Sequence, residues 1–285
     1  MRNKLTKDLY TRQVDLLERL CRRCEEKGFN VSKLDTVRQL MEECGTNIVE
    51  EGREEFVKPL NYMIRVCRVP FLLESASAHI QNQHQIRELL SSIGTYILVP
   101  DTALTAIETL HSFWNQIKTR DDEGTMTFNQ IQIDKSTVIQ SVGAAIRKEA
   151  AAEQEETSPL LKFILDISRV HKTAVQTCQS GVLEGLIAVL NKTREFSQEI
   201  VDVLRLLTET TENDEKDGAI LKLSTDLTFE TLHKYLEQLV KEGYRRTDKV
   251  LRNEVLILLT TLASRSENHS RFLSNETLSI LLACT

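Results

Sequence analysis

The cysteines Cys21 and Cys24, in the segment CRRC, have the residue type and spacing that could bind zinc or form a redox centre. A structural zinc site would also need a second such pair, or a histidine pair at zinc-finger distance, and neither follows Cys24. Both cysteines continue an apolar helical stripe with Leu20, where a free thiol packs as a small hydrophobic group. We therefore expect core thiols here and at the other four cysteines, Cys44, Cys67, Cys178 and Cys284.

Histidines and carboxylates give no stronger case for chemistry. His79 and His84 are five residues apart, so on a helix their side chains point to different faces. The sequence has no G-x-S-x-G elbow, no glycine-rich phosphate loop and no H-E-x-x-H zinc motif. Adjacent carboxylates such as Glu42 and Glu43 are expected in solvent. The sequence therefore predicts a protein that is not an enzyme and that binds no cofactor or metal.

Charge and hydropathy disfavour two further classes of protein. The net charge is −6 and aromatic residues make up 5% of the chain, whereas RNA-binding helical repeats need a basic face with side chains that stack on bases. The apolar run from Val255 to Ala263 is far shorter than the roughly 20 residues that a spanning helix requires. The first residues also lack the apolar stretch of a secretory signal. We expect neither nucleic acid nor membrane as a partner, and an intracellular location.

The elements that position these residues are helices along nearly the whole chain. Apolar residues recur at helical spacing, and glycine and proline are scarce, with 10 and 4 residues. Breaks fall mostly 10 to 25 residues apart, which is typical of helix hairpins. Prolines stand where a first helical turn would tolerate them, at Pro70, Pro100 and Pro159. This pattern predicts an all-α fold.

One segment departs from the helical pattern. Residues 119–137 include TFNQIQI, which alternates like a short strand, and we expect an exposed loop insertion there. Because loop closure entropy changes little with length, deletion of residues 120–134 is then expected to leave thermal unfolding nearly unchanged.

Two helical segments repeat each other at an offset of 55 residues. The segment QEIVDVLRLLTETTEN, 198–213, aligns without gaps on NEVLILLTTLASRSEN, 253–268, and five apolar positions coincide. Before the first segment lies HKTAVQTCQSGVLEGLIAVL, in which Gly181 suits the left-handed backbone of a sharp turn between helices. Such units bury their faces by stacking, so the chain is expected to be a helical-repeat solenoid.

HKTAVQTCQSGVLEGLIAVL resembles the opening of an armadillo repeat, and NEVLILLTTLAS resembles its third helix. The segment 227–263, with LRNE before its apolar helix, and VCRVPFLLESASAHI upstream are similar to the armadillo-repeat region of the cilia- and flagella-associated protein 69 family. The resemblance implies an all-α, armadillo/HEAT-like right-handed solenoid covering residues 1–285. Proteins of that family are longer, so the chain is expected to be a fragment of a longer array or a short relative.

The resemblance further implies a non-enzymatic structural scaffold of the motile cilium or flagellum, in the central apparatus of the axoneme. Its partners would be other central-apparatus proteins and, indirectly, microtubules, and its location the cytoplasm and the axonemal cytoskeleton. An alternative is a cytosolic armadillo-type adaptor that binds peptide segments. Such adaptors clamp the peptide with a tryptophan and, four residues on, an asparagine. The corresponding positions here are Ile257 and Thr261, which disfavours the adaptor.

The segment YRRTDKVLR gives the strongest candidate for a partner-binding surface. Its cations fall at helical spacing near a helix start. They are expected either to lie in solvent or to bind an acidic protein surface. The candidate partner-binding residues are Arg245, Arg246, Lys249 and Arg252.

Overall fold

The structure is a computed structural model that describes residues 34–50, 52, 54–67, 81–115, 127–149, 157–242 and 245–274, with separate positions between 15 and 26 and at 279. Helices dominate this part of the chain. In the first half they are α1 (Leu34–Val49), α2 (Val57–Val66), α3 (Gln83–Thr95), α4 (Pro100–Asn115), α5 (Phe128–Asp134) and α6 (Val138–Glu149). The second half contains α7 (Thr157–Ile167), α8 (His171–Gln179), α9 (Val182–Lys192), α10 (Ser197–Thr210), α11 (Ala219–Leu223), α12 (Asp226–Glu242), α13 (Arg246–Ala263) and α14 (His269–Ser274).

These helices form two compact units, Met1–Ser141 and Val142–Thr285. In the first unit α1 packs on α2 and α3, and α2 packs on α4. In the second unit α10 packs between α7 and α13, and α9 packs on α12. Each unit therefore stacks like helices side by side in separate layers, as armadillo repeats do. The expectation of one continuous solenoid stays a prediction, while the all-α fold is confirmed.

Five of the described helices, α2, α4, α7, α10 and α13, have closely similar patterns of buried positions, and we call them the third-helix row. In α10 the buried side chains are Ile200, Val201, Val203, Leu204 and Leu207. In α7 they lie 40 residues earlier, at Leu160, Leu161, Phe163, Ile164 and Ile167. In α13 they lie 55 residues later, at Val255, Leu258, Leu259 and Leu262, with Leu256 half-buried. The offset of 55 predicted between α10 and α13 is confirmed.

Glycines mark the second helices of the first repeats. Gly45, Gly94 and Gly143 occur at a constant interval of 49 residues, in α1, α3 and α6. A methyl group at Gly45 would lie 2.7 Å from the Tyr96 hydroxyl, and one at Gly143 would overlap the Ser180 carbonyl. Close approach of the neighbouring repeat therefore requires the absence of a side chain at these two positions.

The expectation of a loop and strand at 119–137 is wrong for residues 128–134, which form the short helix α5. Thr127 begins it with a capping box, in which its hydroxyl accepts from Gln130 N–H and the Gln130 side chain accepts from Thr127 N–H. Ile133 is fully buried, and Asn129 donates to the Phe113 carbonyl at 2.8 Å. Residues 119–126 lie outside the described part. Deletion of 120–134 would therefore remove core contacts, contrary to the expectation of unchanged unfolding.

Several local predictions are confirmed. Gly181 has a φ of +83° in the turn between α8 and α9, as the predicted left-handed turn requires. Pro100 begins α4, and Pro159 lies in the first turn of α7. Pro70 lies outside the described residues. Within the described residues, no helix is both long and apolar enough to cross a membrane.

Candidate functional site

Helix α13 carries the candidate partner-binding residues, and its packing decides which of them face outward. Its apolar side, including Val255 and Leu258, is fully buried, and the helix packs on α10 and α12. Side chains on the opposite side therefore face away from these two helices. The helix also has a fixed start, because the Asp248 carboxylate accepts a hydrogen bond of 3.1 Å from the Arg245 backbone N–H.

The exposed side of α13 forms one continuous stripe along the helix. Helical spacing of 100° per residue places seven exposed side chains within about 60° of one line. We call them the outward stripe of α13: Arg246, Lys249, Val250, Asn253, Ile257, Thr260 and Ser264. Val250 and Ile257 are each 47% exposed, which is high for branched apolar side chains. The stripe contains two cations and no carboxylate.

Threonine hydroxyls make the stripe more apolar than its sequence suggests. Thr260 donates to the Leu256 carbonyl at 2.8 Å, and Thr261, beside the stripe, donates to the Ile257 carbonyl at 3.0 Å. Because these hydroxyls bond to the helix backbone, they have less need of water and their methyl groups add apolar surface. The outward stripe therefore has a basic start followed by an apolar middle.

The four predicted cations do not form a single cluster. Arg246 and Lys249 are exposed one turn apart on the outward stripe, and Arg245 is exposed just before the helix. Arg252 lies about 120° around the helix from Arg246 and is half-buried. Its Nε is buried without a hydrogen-bond partner. Arg245, Arg246 and Lys249 are therefore the cations available to a partner, while Arg252 flanks them.

The position of these cations is unfavourable for the helix itself. The N-terminus of a helix carries a partial positive charge, so a cation in the first turn costs about 0.3–1 kcal/mol. No ion pair involves Arg245, Arg246 or Lys249 in the part of the chain that the structure describes. Their charge is thus left open to solvent or to an acidic surface.

The positions of the peptide clamp can now be compared along the third-helix row. The burial pattern aligns Ile257 and Thr261 with two positions on each of the other four helices. At the tryptophan position these helices have Asn61, Glu108, Lys162 and Asp202. At the asparagine position they have Arg65, Ser112, Asp166 and Leu206. The tryptophan–asparagine pair therefore occurs on none of the five described third helices.

The described cysteines are core residues, as predicted. Cys44, Cys67 and Cys178 are buried with free thiols. Burial raises the pKa of the Cys44 and Cys178 thiols to about 12, so both stay protonated near neutral pH. Cys21, Cys24, Cys284 and His79 lie outside the described residues. His84 is exposed, with Nδ1 3.4 Å from the Glu88 carboxylate.

Sequence reasoning did not identify the apolar half of the outward stripe. Ile257 was recognised only as a position where the clamp is missing, and Val250 was not singled out. The signal was present, because Val250 and Ile257 are seven residues apart and share a helix face. What the sequence could not show is that this face has no neighbouring helix within the described part of the second unit.

The family model described as "Cilia- and flagella-associated protein 69, ARM repeat" matches residues 1–279 of the chain. The chain belongs to this family. The match confirms the armadillo-type fold that the helix patterns predicted, and it covers both compact units.

Curated relatives with the same name show how distant the similarity is. Cilia- and flagella-associated protein 69 of Mus musculus is 20% identical over 260 residues, which is 88% of this chain and 27% of the relative. The protein of the same name from Homo sapiens is 20% identical over 270 residues, covering 91% of this chain and 28% of the relative. The chain thus spans little more than a quarter of the length of these relatives.

Proposed function

We propose that the chain is a non-enzymatic structural scaffold of the motile cilium or flagellum, in a projection of the axonemal central apparatus. The family match over residues 1–279 carries this proposal, because the relatives it groups are named for cilia and flagella. The stacked helices support a scaffold role, since they present extended surfaces for other proteins. Its partners would be other central-apparatus proteins, with microtubules reached indirectly through them.

The outward stripe of α13 is the surface that we propose for one of these contacts. Arg245, Arg246 and Lys249 would bind carboxylates of the partner, with Arg252 at the edge of the contact. Val250 and Ile257 would pack against its apolar side chains, because burial of about 25 cal/mol per Å² of apolar surface is the main source of affinity. The fitting partner is an acidic segment with an apolar face.

The alternative of a cytosolic peptide-binding adaptor has less support. Armadillo adaptors of that kind hold the peptide backbone with a ladder of asparagines beside tryptophans. The five described third helices have neither residue in register, and their side chains at these positions range from Lys162 to Ile257. Tight binding of short extended peptides across the third-helix row would favour the adaptor instead.

Localisation of the full-length protein tests the proposal directly. A tagged chain expressed in cells with motile cilia is expected in the axoneme, and its density is expected at the central apparatus in a cilium reconstruction. Exclusion from cilia, or a location on the outer doublets alone, would contradict it.

A charge-reversal variant then tests the proposed surface. Arg246→Glu with Lys249→Glu is expected to reduce retention in detergent-extracted axonemes. The matched control is Lys162→Glu with Lys234→Glu, which reverses two exposed lysines elsewhere in the second unit. Equal retention of both double variants would leave the scaffold proposal standing but remove α13 as the contact.

A further inference from the structure

A basic cleft lies in the first unit, away from α13 in the sequence. It has a volume of about 450 Å³ and lies beside α1, α3 and the turn after α5. The residues that line it are Arg38, His84, Arg87, Glu88, Ser91, Ser92 and Lys135. Three of these carry a permanent positive charge and one is a carboxylate, so the lining is basic in a chain with a net charge of −6.

Arg87 is the residue that gives the cleft a specific chemistry. Its Nε donates to Gln132 Oε1 at 2.7 Å, and its Nη2 donates to Gln83 Oε1 at 2.8 Å. Both acceptors are neutral amides, and no ion pair joins Arg87 to a carboxylate in the described residues. The guanidinium is therefore held in one orientation while its charge is not neutralised, and a planar guanidinium suits a carboxylate or phosphate.

Other groups around the cleft add donors. Lys135 is exposed at its edge and has no ion pair within the described part of the chain. The Ser91 hydroxyl accepts from the Thr137 N–H at 3.2 Å, which leaves its own hydrogen free to donate. The negative groups are already engaged: Glu42 pairs with Arg38 at 2.8 Å, and Glu88 lies 3.4 Å from His84. The uncompensated charge in the cleft is therefore positive.

We propose that this cleft binds a carboxylate or phosphate group carried by an acidic segment of a partner protein. Arg87 would donate its remaining N–H groups to the anion, Lys135 would supply a second charge, and Ser91 would donate a hydroxyl hydrogen bond. A volume of about 450 Å³ lies within the roughly 300–1,000 Å³ of small ligand sites, so it accommodates a side chain with its neighbours. The site goes beyond the proposed scaffold function and does not depend on the cellular location.

Fluorescence polarisation with labelled peptides on the whole chain tests the cleft. Three peptides of one acidic sequence would carry phosphoserine, glutamate or glutamine at the central position, and inorganic phosphate would serve as a competitor. The phosphoserine or the glutamate peptide is expected to bind more tightly than the glutamine peptide, and the tighter of the two identifies the anion. Equal binding of all three peptides would overturn the proposal.

Variants locate the binding within the molecule. Arg87→Gln is expected to weaken the charged peptide roughly 10- to 100-fold, as loss of a charge-assisted hydrogen bond does. Lys135→Gln is expected to weaken it less, and it keeps the test valid if Arg87→Gln alters the fold. Arg169→Gln, an exposed arginine of the second unit, is the matched control. Unchanged affinity in both cleft variants, or an equal loss in the control, would refute the assignment.

Discussion

Helices α10 and α13 bury the same positions and expose opposite chemistry. On α10 the exposed positions that match the outward stripe are Gln198, Asp202, Arg205 and Glu209. These pair with each other: Gln198 donates to Asp202 at 2.9 Å, and Arg205 donates to Glu209 at 2.7 Å. On α13 the matching positions are Asn253, Ile257, Thr260 and Ser264, with two unpaired cations before them.

The difference separates what builds the repeat from what distinguishes one repeat from another. The buried positions are shared because stacked helices need the same complementary apolar surface. The outward positions are under no such constraint. Those of α10 satisfy each other within the helix, while those of α13 leave apolar area and positive charge without a partner among the described residues. A surface of the second kind is the better candidate for binding.

Core truncations would break the shared buried face and have the largest expected effect on stability. Leu204 on α10 and Leu259 on α13 are matching positions with 0% and 1% exposure. Leu204→Ala and Leu259→Ala should each lower the free energy of unfolding by about 2–5 kcal/mol, through lost burial and the cavity left behind. Urea unfolding monitored by circular dichroism measures both. A loss below about 1 kcal/mol at either site would mean that the two helices are not packed alike.

A methyl group at Gly143 is the next largest perturbation. It would overlap the Ser180 carbonyl, and backbone cannot move aside as a flexible side chain can. Gly143→Ala is expected to lower stability by about 1–3 kcal/mol, although alanine is the better helix former. Gly52→Ala is a control, since no atom lies near Gly52, although its φ of +64° adds local strain. A stabilised Gly143→Ala protein would show that the close approach is absent.

How far the fold could be predicted depended on where the polar residues lie. The pairing of α10 with α13 was readable because their buried positions are all apolar. Helix α5 was missed because Asn129 and Gln132 are buried and use their amides on the Phe113 and Phe128 carbonyls. With polar residues in the core, TFNQIQI shows no apolar stripe of helical period.

Other features of the repeat were readable but went unnoticed. GTNI, GTYI and GAAI, which begin at Gly45, Gly94 and Gly143, recur every 49 residues and mark three second helices. The candidate surface was predicted only through its charges. Which side of α13 faces solvent depends on packing against α10 and α12, and a single sequence gives that packing only through pairs as clear as the offset of 55.

Thiol chemistry can sharpen the contrast between the buried and outward faces. Ile257→Cys places a thiol on the outward stripe, whereas Cys178 is a buried thiol with its pKa raised to about 12. Only the thiolate is alkylated, so at pH 8 the new cysteine should react with iodoacetamide at least tenfold faster than Cys178. Peptide mapping by mass spectrometry measures both rates. Equal rates would contradict either the burial of Cys178 or the exposure of position 257.

The same raised pKa predicts the direction of a pH effect on stability. The folded state holds the Cys178 proton more tightly than the unfolded state, whose thiol pKa is about 8.5. This contribution is complete below about pH 8.5 and is lost progressively as the pH rises towards 12. In Cys178→Ala the fall in stability between pH 8.5 and 10.5 should therefore be smaller than in the parent protein. An equally steep fall would assign the pH effect to other groups.

Arg246 gives the smallest expected change and separates stability from binding. The arginine opposes the helix dipole in the first turn of α13, so Arg246→Glu should raise the free energy of unfolding by about 0.3–1 kcal/mol. Asn253→Glu adds a negative charge at mid-helix on the same stripe, and it should have a smaller effect. Urea unfolding at low salt measures both. If Arg246→Glu is more stable and yet weakens retention in axonemes, the arginine is kept for a partner at the expense of the helix. If it is less stable, the cation supports the fold, and the unpaired charge on α13 ceases to indicate a binding surface.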